Sequence, residues 1–352
     1  MHTTRLALVL CLTVTVTAWC GCARRQPSMT APDQVRRLQL AQPMYAPDAL
    51  PARMPDFPDL KPSKKYRIAL VMKTMSNPFF QAMDKGAQGE AKRLGVELSS
   101  LAAPKETSDL EQAGIVENEV AKGVAAICIA PADSKSLIPA LLKADQAHIP
   151  VINLDNRIDR QAAQEAGLKL VTFIGPDNEA GAERAANHLA EKMGGRGTVA
   201  MLEGIRGVDN AEARKRGFEK AMKASPGITV VDSQSAHWEL EQGESVFANM
   251  LTAHPDLTGL FCANDMMALG ALRAIDAAGK KGKLLVASYD NLAAAQEKIK
   301  SGDLLCTIEQ HPDLMGAWAV RCAVALLEGK QIPPEIAVPT DLITKDTLGK
   351  GE

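Results

Sequence analysis

The sequence has 352 residues, a formal net charge of −2, and 46% hydrophobic residues. Domain sizes cluster near about 100–150 residues, so a chain of this length favours two domains. Its 40 Lys and Arg are balanced by 42 Asp and Glu, which leaves no basic surface to neutralise phosphates. This balance argues against nucleic acid as a partner. Only 4% of residues are aromatic, so each ring that stands beside polar residues is informative.

Residues 1–22 have the pattern of an export signal. The apolar run LALVLCLTVTVTAWC is shorter than an ordinary membrane-spanning helix and ends in WCGC. This ending resembles the lipobox of bacterial lipoproteins, and we predict a lipoprotein-type signal peptide with Cys22 as the lipidated residue. Trp19 stands where that pattern prefers Leu, so a plain secretory signal and an uncleaved anchor stay open as alternatives. All three place the rest of the chain outside the cytoplasm.

Residues 23–63 are rich in Pro, Gln, Arg and Asp and show no sustained periodicity. Frequent prolines prevent a continuous helix or a central strand. We therefore predict that this segment is a tether between the membrane and a folded body.

Four of the seven cysteines fall in the predicted folded part: Cys128, Cys262, Cys306 and Cys322. No CxxC or Cys/His spacing indicates a metal site. Three of the four lie in apolar, strand-like runs, where Cys commonly acts as a small buried hydrophobe. We predict mostly free thiols and no metal.

From Tyr66 onward, short apolar runs alternate with longer amphipathic stretches. One series runs from RIALVMK to PVINLD and a second from LVTFIG to LLCTIEQ, followed by a last helix and the run AVPTDLITK. The short runs are apolar throughout, as expected for strands buried on both faces of a parallel sheet. Two series of similar size predict an α/β fold with two doubly wound parallel-sheet lobes.

Polar and aromatic residues stand where the apolar runs end, in both series. In open parallel sheets, ligands bind beyond the carboxyl ends of the strands. Carboxylates and amides hydrogen-bond adjacent hydroxyl groups, and aromatic rings cover the C–H faces of a pyranose. The pattern therefore predicts a sugar site. The residues at the strand ends are Lys73, Asn77, Phe79, Phe80, Asp155, Asn156, Trp238, Asn264, Asp290 and Gln310.

These candidates also have structural interpretations. Asn77 could be the N-cap of a helix, and Asn264 could cap the helix that follows it. Asp155 and Asn156 could form a turn, and Arg214 could lie on a solvated helix face. The recurrence of such residues at the same strand-end location in both series favours a binding role.

Motifs in a fixed order resemble the ribose-, allose- and galactose-type periplasmic binding proteins of sugar ABC transporters, which have the type I fold. They are KTMSNPFFQAMDKGAQGEAKRLG, APADS, IPVINLDNRID, IGPDNEAG, LEGIRG, EARKRGF, LTAHPDLTGLFCANDMMALGALRAI, SYDN and TIEQHPDLMG. The resemblance covers about residues 66–345. It implies two lobes joined by a hinge of three chain crossings, near Pro176, Gln310 and Asp341.

The resemblance further implies the lobe boundaries. The N-terminal lobe is expected to comprise residues 64–176 plus 311–341, and the C-terminal lobe residues 177–310 plus 342–352. It also implies a monomer that rotates about its hinge, and sugar contacts on both faces of the cleft favour the closed form.

By the same resemblance, the sugar is contacted by side chains of both lobes and sandwiched between two rings. The matching positions are Asn77, Phe79, Phe80, Asp155, Arg214, Trp238, Asn264, Asp290 and Gln310. Lys73 and Asn156 stand where the ribose-binding pattern has Ser and Arg. Because Lys73 fits the allose-type pattern, a hexopyranose such as allose is favoured, with a ribose-like pentose second.

Three classes of protein compete with a transport role: an enzyme, a transcription regulator and a sensory protein. An enzyme would need a nucleophile with its base, a metal set or a tuned acid, and none of these stands at the strand ends; a glycosidase pair of carboxylates stays open. Regulators of the lactose-repressor kind carry an N-terminal helix-turn-helix in place of this apolar leader. We predict the extracytoplasmic binding component of a sugar ABC importer, which needs no cofactor, with the permease as its partner. The alternative is a sensory protein that presents its sugar to a membrane receptor.

Overall fold

A computed structural model describes residues 53–348. The predicted signal peptide, Cys22 and most of the predicted tether lie outside these residues. In the part of the chain that the structure describes, twelve strands and ten helices alternate. None of those helices is both long and apolar enough to cross a membrane.

The first lobe is a six-stranded sheet of order β11-β5-β4-β3-β1-β2, with every pair parallel. Its strands are β1 (Arg67–Met72), β2 (Glu97–Ala102), β3 (Ala126–Ile129), β4 (Val151–Leu154), β5 (Thr172–Pro176) and β11 (Glu335–Val338). Its helices are α1 (Pro78–Leu94), α2 (Asp109–Ala121), α3 (Ile138–Gln146), α4 (Arg160–Ala166) and α10 (Pro312–Leu327). Strands β3 and β4 are buried along their whole length, as expected for central strands covered by helices on both faces.

The second lobe repeats this plan with the order β12-β10-β9-β8-β6-β7. Its strands are β6 (Gly197–Glu203), β7 (Ile228–Ser235), β8 (Gly259–Cys262), β9 (Leu285–Ala287), β10 (Cys306–Glu309) and β12 (Asp341–Thr344). Its helices are α5 (Asn178–Lys192), α6 (Asp209–Lys223), α7 (Leu240–Ala253), α8 (Asp265–Ala277) and α9 (Ala293–Ser301). Only the edge strand β12 is antiparallel, to β10, among the pairings of the described residues. The predicted α/β class with two doubly wound lobes is confirmed.

The described chain passes between the sheets at three places: from β5 to α5, from β10 to α10, and from β11 to β12. One lobe boundary needs correction. The run LVTFIG opened the second series in the sequence, but it forms β5 of the first sheet, on the side of residue 176 where the lobe boundary placed it. Asp341, assigned to the first lobe, pairs with Glu309 in the second sheet, because the chain has already crossed after Val338.

The prediction of a tether over residues 23–63 is wrong for residues 53–63, the part of that segment that the structure describes. Leu60 is buried, and Met54 and Phe57 pack against the hydrophobic core. Ser63 donates from its backbone N–H to Glu328 Oε1 over 2.6 Å, just beyond the end of α10. Prolines prevent regular secondary structure here, but they do not prevent apolar side chains from packing on a lobe. The folded body therefore begins before residue 64.

The four cysteines of the described body are free thiols, and all four are buried, including Cys322, which lies outside the apolar runs of the prediction. Burial raises the pKa of Cys128 to about 12, and it raises the pKa values of Cys262, Cys306 and Cys322 as well. The thiolate is the reactive form, so these residues act as core hydrophobes.

The packing of the N-terminal segment is tested by Leu60→Ala. Removing a buried Leu side chain should lower the free energy of unfolding by about 2–4 kcal/mol, measured as a lower melting temperature. The matched control is Leu110→Ala, since Leu110 is 79% exposed and should change stability by about 0.5 kcal/mol or less. Equal melting temperatures for the two variants would contradict this packing.

Candidate functional site

A cavity with an empty volume of about 260 Å³ lies between the lobes, at the carboxyl ends of the strands. This volume includes space that is open to solvent, so the cavity is a narrow cleft between two closely spaced walls. Ten of the eleven residues predicted from the sequence line it. The lining residues are Lys73, Asn77, Phe79, Phe80, Glu106, Asp155, Asn210, Arg214, Trp238, Asn264, Asp290 and Gln310.

The first lobe supplies a buried cluster of charged and polar groups. Lys73, just after β1, places its Nζ 3.3 Å from Asp155 Oδ2, just after β4. Asn77 Nδ2 donates to Glu106 Oε1 over 3.1 Å. All four residues are almost completely buried. A cluster of this kind offers both donors and charged acceptors to a molecule in the cavity.

Asn77 is both a helix N-cap and a lining residue of the cavity. Its side chain accepts from the backbone N–H of Phe79 and caps α1, with Pro78 at the first helical position. The cap fixes the start of α1, which places the rings of Phe79 and Phe80 at the cavity. The two rings meet edge to face, with centroids 5.1 Å apart. The apolar surface of the site is therefore positioned by the same residue that begins the helix.

Arg214 organises the second lobe's side of the cavity. The alternative of a solvated helix face is excluded for this residue, which is only 3% exposed. Its Nε donates to Asn178 Oδ1 over 2.8 Å, and its two terminal nitrogens donate to the carbonyl of Ala263 over 2.7 Å and to Gln310 Oε1 over 3.0 Å. One guanidinium thus joins the start of α5, the end of β8 and the end of β10.

Aromatic rings flank the same guanidinium. Its central carbon lies 3.8 Å from the centroid of the Tyr289 ring and 5.4 Å from that of Trp238. Gly204 follows β6 directly beneath the indole, and a Cβ there would collide with Trp238. The absence of a side chain at Gly204 therefore allows the indole to reach the cavity. Such stacked, desolvated contacts are the strongest form of cation–π interaction.

Asp290 connects Arg214 to the hinge. Gln310 Nε2 donates to Asp290 Oδ1 over 2.5 Å, and Arg214 approaches the same oxygen at 3.5 Å. Burial raises the pKa of Asp290 well above its usual value, and the positive charge of Arg214 opposes that rise. Burial also raises the pKa of the neighbouring Asp265 to about 7, although hydrogen bonds from Ser288, Thr307 and the backbone of Leu292 lower it in part. The second lobe therefore holds its acceptors in a low-dielectric setting.

Three lining residues have positive backbone φ angles: Asp155 at 57°, Trp238 at 69° and Asp290 at 122°. Such conformations cost about 1–3 kcal/mol each and cluster at functional sites. Each is held by a hydrogen bond: the N–H groups of Asp155 and Asp290 donate to carbonyls of β5 and β10, and Asn264 Nδ2 donates to the Trp238 carbonyl. The fold thus stabilises strained backbone where the cavity needs it.

Asn156 is the predicted residue that does not line the cavity. Its Nδ2 donates to the carbonyl of Pro131, and its Oδ1 accepts from the backbone N–H of Asn210 over 3.4 Å. Both ends of its amide are therefore used between protein groups. It stands one residue past Asp155, where its amide meets the start of α6 in the opposite lobe.

Sequence reasoning missed Glu106 and Asn210. Both follow strand ends, Glu106 after β2 and Asn210 after β6, so the strand-end rule could have found them. Asn210 Oδ1 is buried and accepts no hydrogen bond in the described structure, which makes it a ready acceptor for a molecule in the cavity.

The described residues contain no group of three or more His, Cys, Asp or Glu arranged to hold a metal ion. The cavity instead combines acceptors, donors and ring faces from two lobes. This arrangement suits a small neutral molecule with several hydroxyl groups, because each polar contact is directional and no single charge dominates.

Comparison with known proteins agrees with this geometry. A family model described as a periplasmic binding protein domain matches residues 68–331. The D-ribose/D-allose-binding protein of Pseudomonas aeruginosa is 40% identical over 287 residues, covering 80% of this chain and 89% of that protein. The D-allose-binding periplasmic protein of Escherichia coli is 35% identical over 277 residues, covering 78% of this chain and 89% of that protein.

A solved structure extends the similarity to three dimensions. The ABC transporter periplasmic solute-binding protein of Actinobacillus succinogenes, determined with bound D-allose, superposes with a TM-score of 0.77 at 45% identity. The match covers 80% of this chain and 98% of that one. The chain therefore belongs to the periplasmic binding protein family. It is a solute-binding protein and not an enzyme, and its family places it in the periplasm.

Glu106 should give the stability of the protein a distinctive pH dependence. Burial raises its pKa above the ordinary 4.5, while Lys73 and the hydrogen bond from Asn77 lower it in part. A carboxyl with a raised folded-state pKa contributes stability that is complete below about pH 4.5 and is lost as pH rises through the folded-state pKa. Glu106→Gln has no carboxyl to ionise and therefore does not show this loss. The melting temperature of the variant minus that of wild type should increase as pH rises from 4.5 to 8.

The matched control for this measurement is Glu111→Gln, on the exposed side of α2. Its melting temperature should differ from wild type by a nearly constant amount over the same range. A Glu106→Gln difference that is equally constant with pH would contradict the buried, proton-linked role of Glu106.

Proposed function

We propose that this chain is the sugar-binding component of an ABC importer and that it encloses a monosaccharide in the cavity between its lobes. The observation that carries the proposal is the composition of that cavity. Phe79 and Phe80 come from the first lobe and Trp238 from the second, so ring faces are available on both sides of one small space. Charged and amide groups occupy the remaining walls, as the hydroxyl groups of a sugar require.

A hexopyranose such as D-allose is the proposed ligand, with D-ribose second. Lys73 and Glu106 add a cation and a carboxyl to the first lobe's wall, beside Asp155. A hexopyranose carries one more hydroxymethyl group than a pentopyranose, and this group needs polar partners of its own. Proteins named for D-allose, D-ribose or both stand among the relatives, which supports this choice of sugars.

Binding is proposed to act through closure of the hinge. A ligand shifts a conformational equilibrium only by its difference in affinity for the two states. Asp155 and Asn77 lie on one lobe and Arg214 and Asp290 on the other, so a sugar contacts the complete set only when the lobes are together. The closed surface is then the form that the permease recognises.

The N-terminal segment completes the proposal. We infer a lipoprotein-type signal over residues 1–22 and attachment to the membrane through lipid on Cys22, supported by the WCGC ending of the apolar run. The tether then spans from Cys22 to the packed segment near Met54. The protein is proposed to work as a monomer, since one chain supplies both walls of the cavity.

A thermal-shift screen tests the proposed ligand. D-allose and D-ribose are compared with other aldoses, polyols and, as a non-carbohydrate control, L-leucine. A ligand at 100 times its Kd stabilises the folded state by about 2.7 kcal/mol, which corresponds to roughly 5 °C or more. We expect such a shift with D-allose and a smaller one with D-ribose. No shift in melting temperature with any sugar, or a shift with L-leucine, would overturn the proposal.

Asp155 is the residue whose loss should affect binding most cleanly. Asp155→Asn keeps the shape of the side chain and tolerates its positive φ, but it removes the charge. Hydrogen bonds to charged groups contribute about 1.5–3 kcal/mol, so affinity for D-allose should fall roughly tenfold to hundredfold by calorimetry.

Asp155→Ala should remove sugar binding altogether while the sugar-free protein still folds, because the packing of β4 is untouched. Far-UV circular dichroism and the melting temperature of the sugar-free variants check folding. Wild-type affinity in both variants would exclude Asp155 from the site.

A further inference from the structure

Helix α6 begins at the cleft without an N-cap of its own. The capping position is Val208, whose side chain cannot accept a hydrogen bond. The first N–H groups of a helix have no partner within the helix, and they need side chains, water or another part of the protein. Helices α1, α4, α5 and α8 meet this need with their own Asn or Asp residues.

The opposite lobe supplies the missing acceptors. The N–H of Asp209 donates to Ser134 Oγ over 3.1 Å, and the N–H of Asn210 donates to Asn156 Oδ1 over 3.4 Å. Ser134 lies in the loop between β3 and α3, and Asn156 follows β4, so both belong to the first lobe. Both are almost completely buried, with 3% and 0% exposure.

The acceptor of Asn156 is held in place by its own lobe. Its Nδ2 donates to the carbonyl of Pro131, in the same loop as Ser134. An ion pair supports the junction, since Arg157 Nε lies 3.8 Å from Asp209 Oδ2. The two acceptors therefore form one preorganised surface that receives the end of α6.

Helix α6 carries two lining residues of the cavity. Asn210 lies in its first turn, and Arg214 lies one turn further along the same helix. Any contact that fixes the end of α6 against the first lobe therefore also fixes these side chains over the cavity. Opening of the hinge would separate the acceptors from the helix and leave its N–H groups to water.

We propose that Ser134 and Asn156 act as an N-cap supplied across the cleft, which holds the lobes closed and positions Asn210 and Arg214 at the ligand. In this role they are positioning residues that set affinity without touching the sugar. The inference rests on the proposed function, because the closure that it stabilises is closure over a sugar. This role also explains why Asn156, which was expected to bind sugar, uses both ends of its side-chain amide for hydrogen bonds to protein groups.

Ser134→Ala is the direct test, because the hydroxyl of Ser134 donates or accepts no other hydrogen bond that would be lost from the described structure. The control is Ser245→Ala, an exposed Ser on α7 whose hydroxyl donates to the carbonyl of Gln242 in the same helix. Affinity for D-allose and D-ribose is measured by calorimetry, and sugar dissociation by stopped flow. We expect a threefold to tenfold loss of affinity, carried by faster dissociation, with an unchanged melting temperature of the sugar-free protein.

Amide hydrogen exchange gives a readout that a merely structural role would not change. Saturation with sugar should slow exchange at the amides of Asp209 and Asn210 in wild type. In Ser134→Ala the slowing should vanish at Asp209 and persist at Asn210, where Asn156 still accepts. Wild-type affinity in the variant, or undiminished protection of its Asp209 amide, would overturn the cap.

The same experiment separates this inference from the proposed function. If neither sugar alters exchange anywhere in the wild-type protein, the choice of ligand fails. The cap is then judged with whichever compound of the thermal-shift screen does stabilise the wild-type protein. Protection of the Asp209 amide by that compound in wild type but not in Ser134→Ala would support the cap, and equal protection in the two proteins would overturn it.

Discussion

The buried guanidinium of Arg214 is the interaction on which the second lobe's half of the site depends. Leaving such a charge unpaired in the protein interior would cost several kcal/mol, on the order expected for a desolvated ion. The fold compensates with acceptors from the start of α5, the end of β8 and the end of β10, and with the rings of Tyr289 and Trp238. Because these acceptors come from separate segments, they can satisfy the guanidinium only when all three segments are in place. The charge therefore fixes the geometry of its surroundings.

The first lobe reaches a comparable result with helix caps and strained turns. Asn77 both begins α1 and contacts Glu106, and Asp155 adopts a left-handed backbone conformation beside Lys73. Across the cleft, Asn264 caps α8 while it holds the carbonyl of Trp238. In each case one side chain serves local structure and the cavity at once. Such double use makes the walls rigid before any ligand arrives, which reduces the entropy lost on binding.

Much of this could be predicted from the sequence. The apolar runs gave the strands, and the rule that ligands bind at strand ends brought ten predicted residues to one cavity. The failures have physical causes. The segment around Met54, Phe57 and Leu60 was assigned to the tether because its prolines prevent regular secondary structure. Without a helix or a strand, the sequence has no hydrophobic periodicity that would predict packing on a lobe. Asn156 was assigned to the sugar site because its true partner could not be seen in the sequence. That partner is the backbone N–H of Asn210, at the start of α6 and 54 positions away in the chain. Glu106 and Asn210 also follow strand ends, but they lie several residues beyond them. The folded lobes place Glu106 on the same wall as Lys73, and Asn210 on the same wall as Arg214.

The central claim is that the two lobes close over a monosaccharide held by side chains of both. A crystal structure of the protein grown with D-allose tests it most directly. The account predicts one pyranose in the cavity, with rings of Phe79 or Phe80 on one side and Trp238 on the other, and with Asp155 and Arg214 hydrogen-bonded to its hydroxyl groups. A structure in which D-allose lies elsewhere, or contacts one lobe only, would contradict the account.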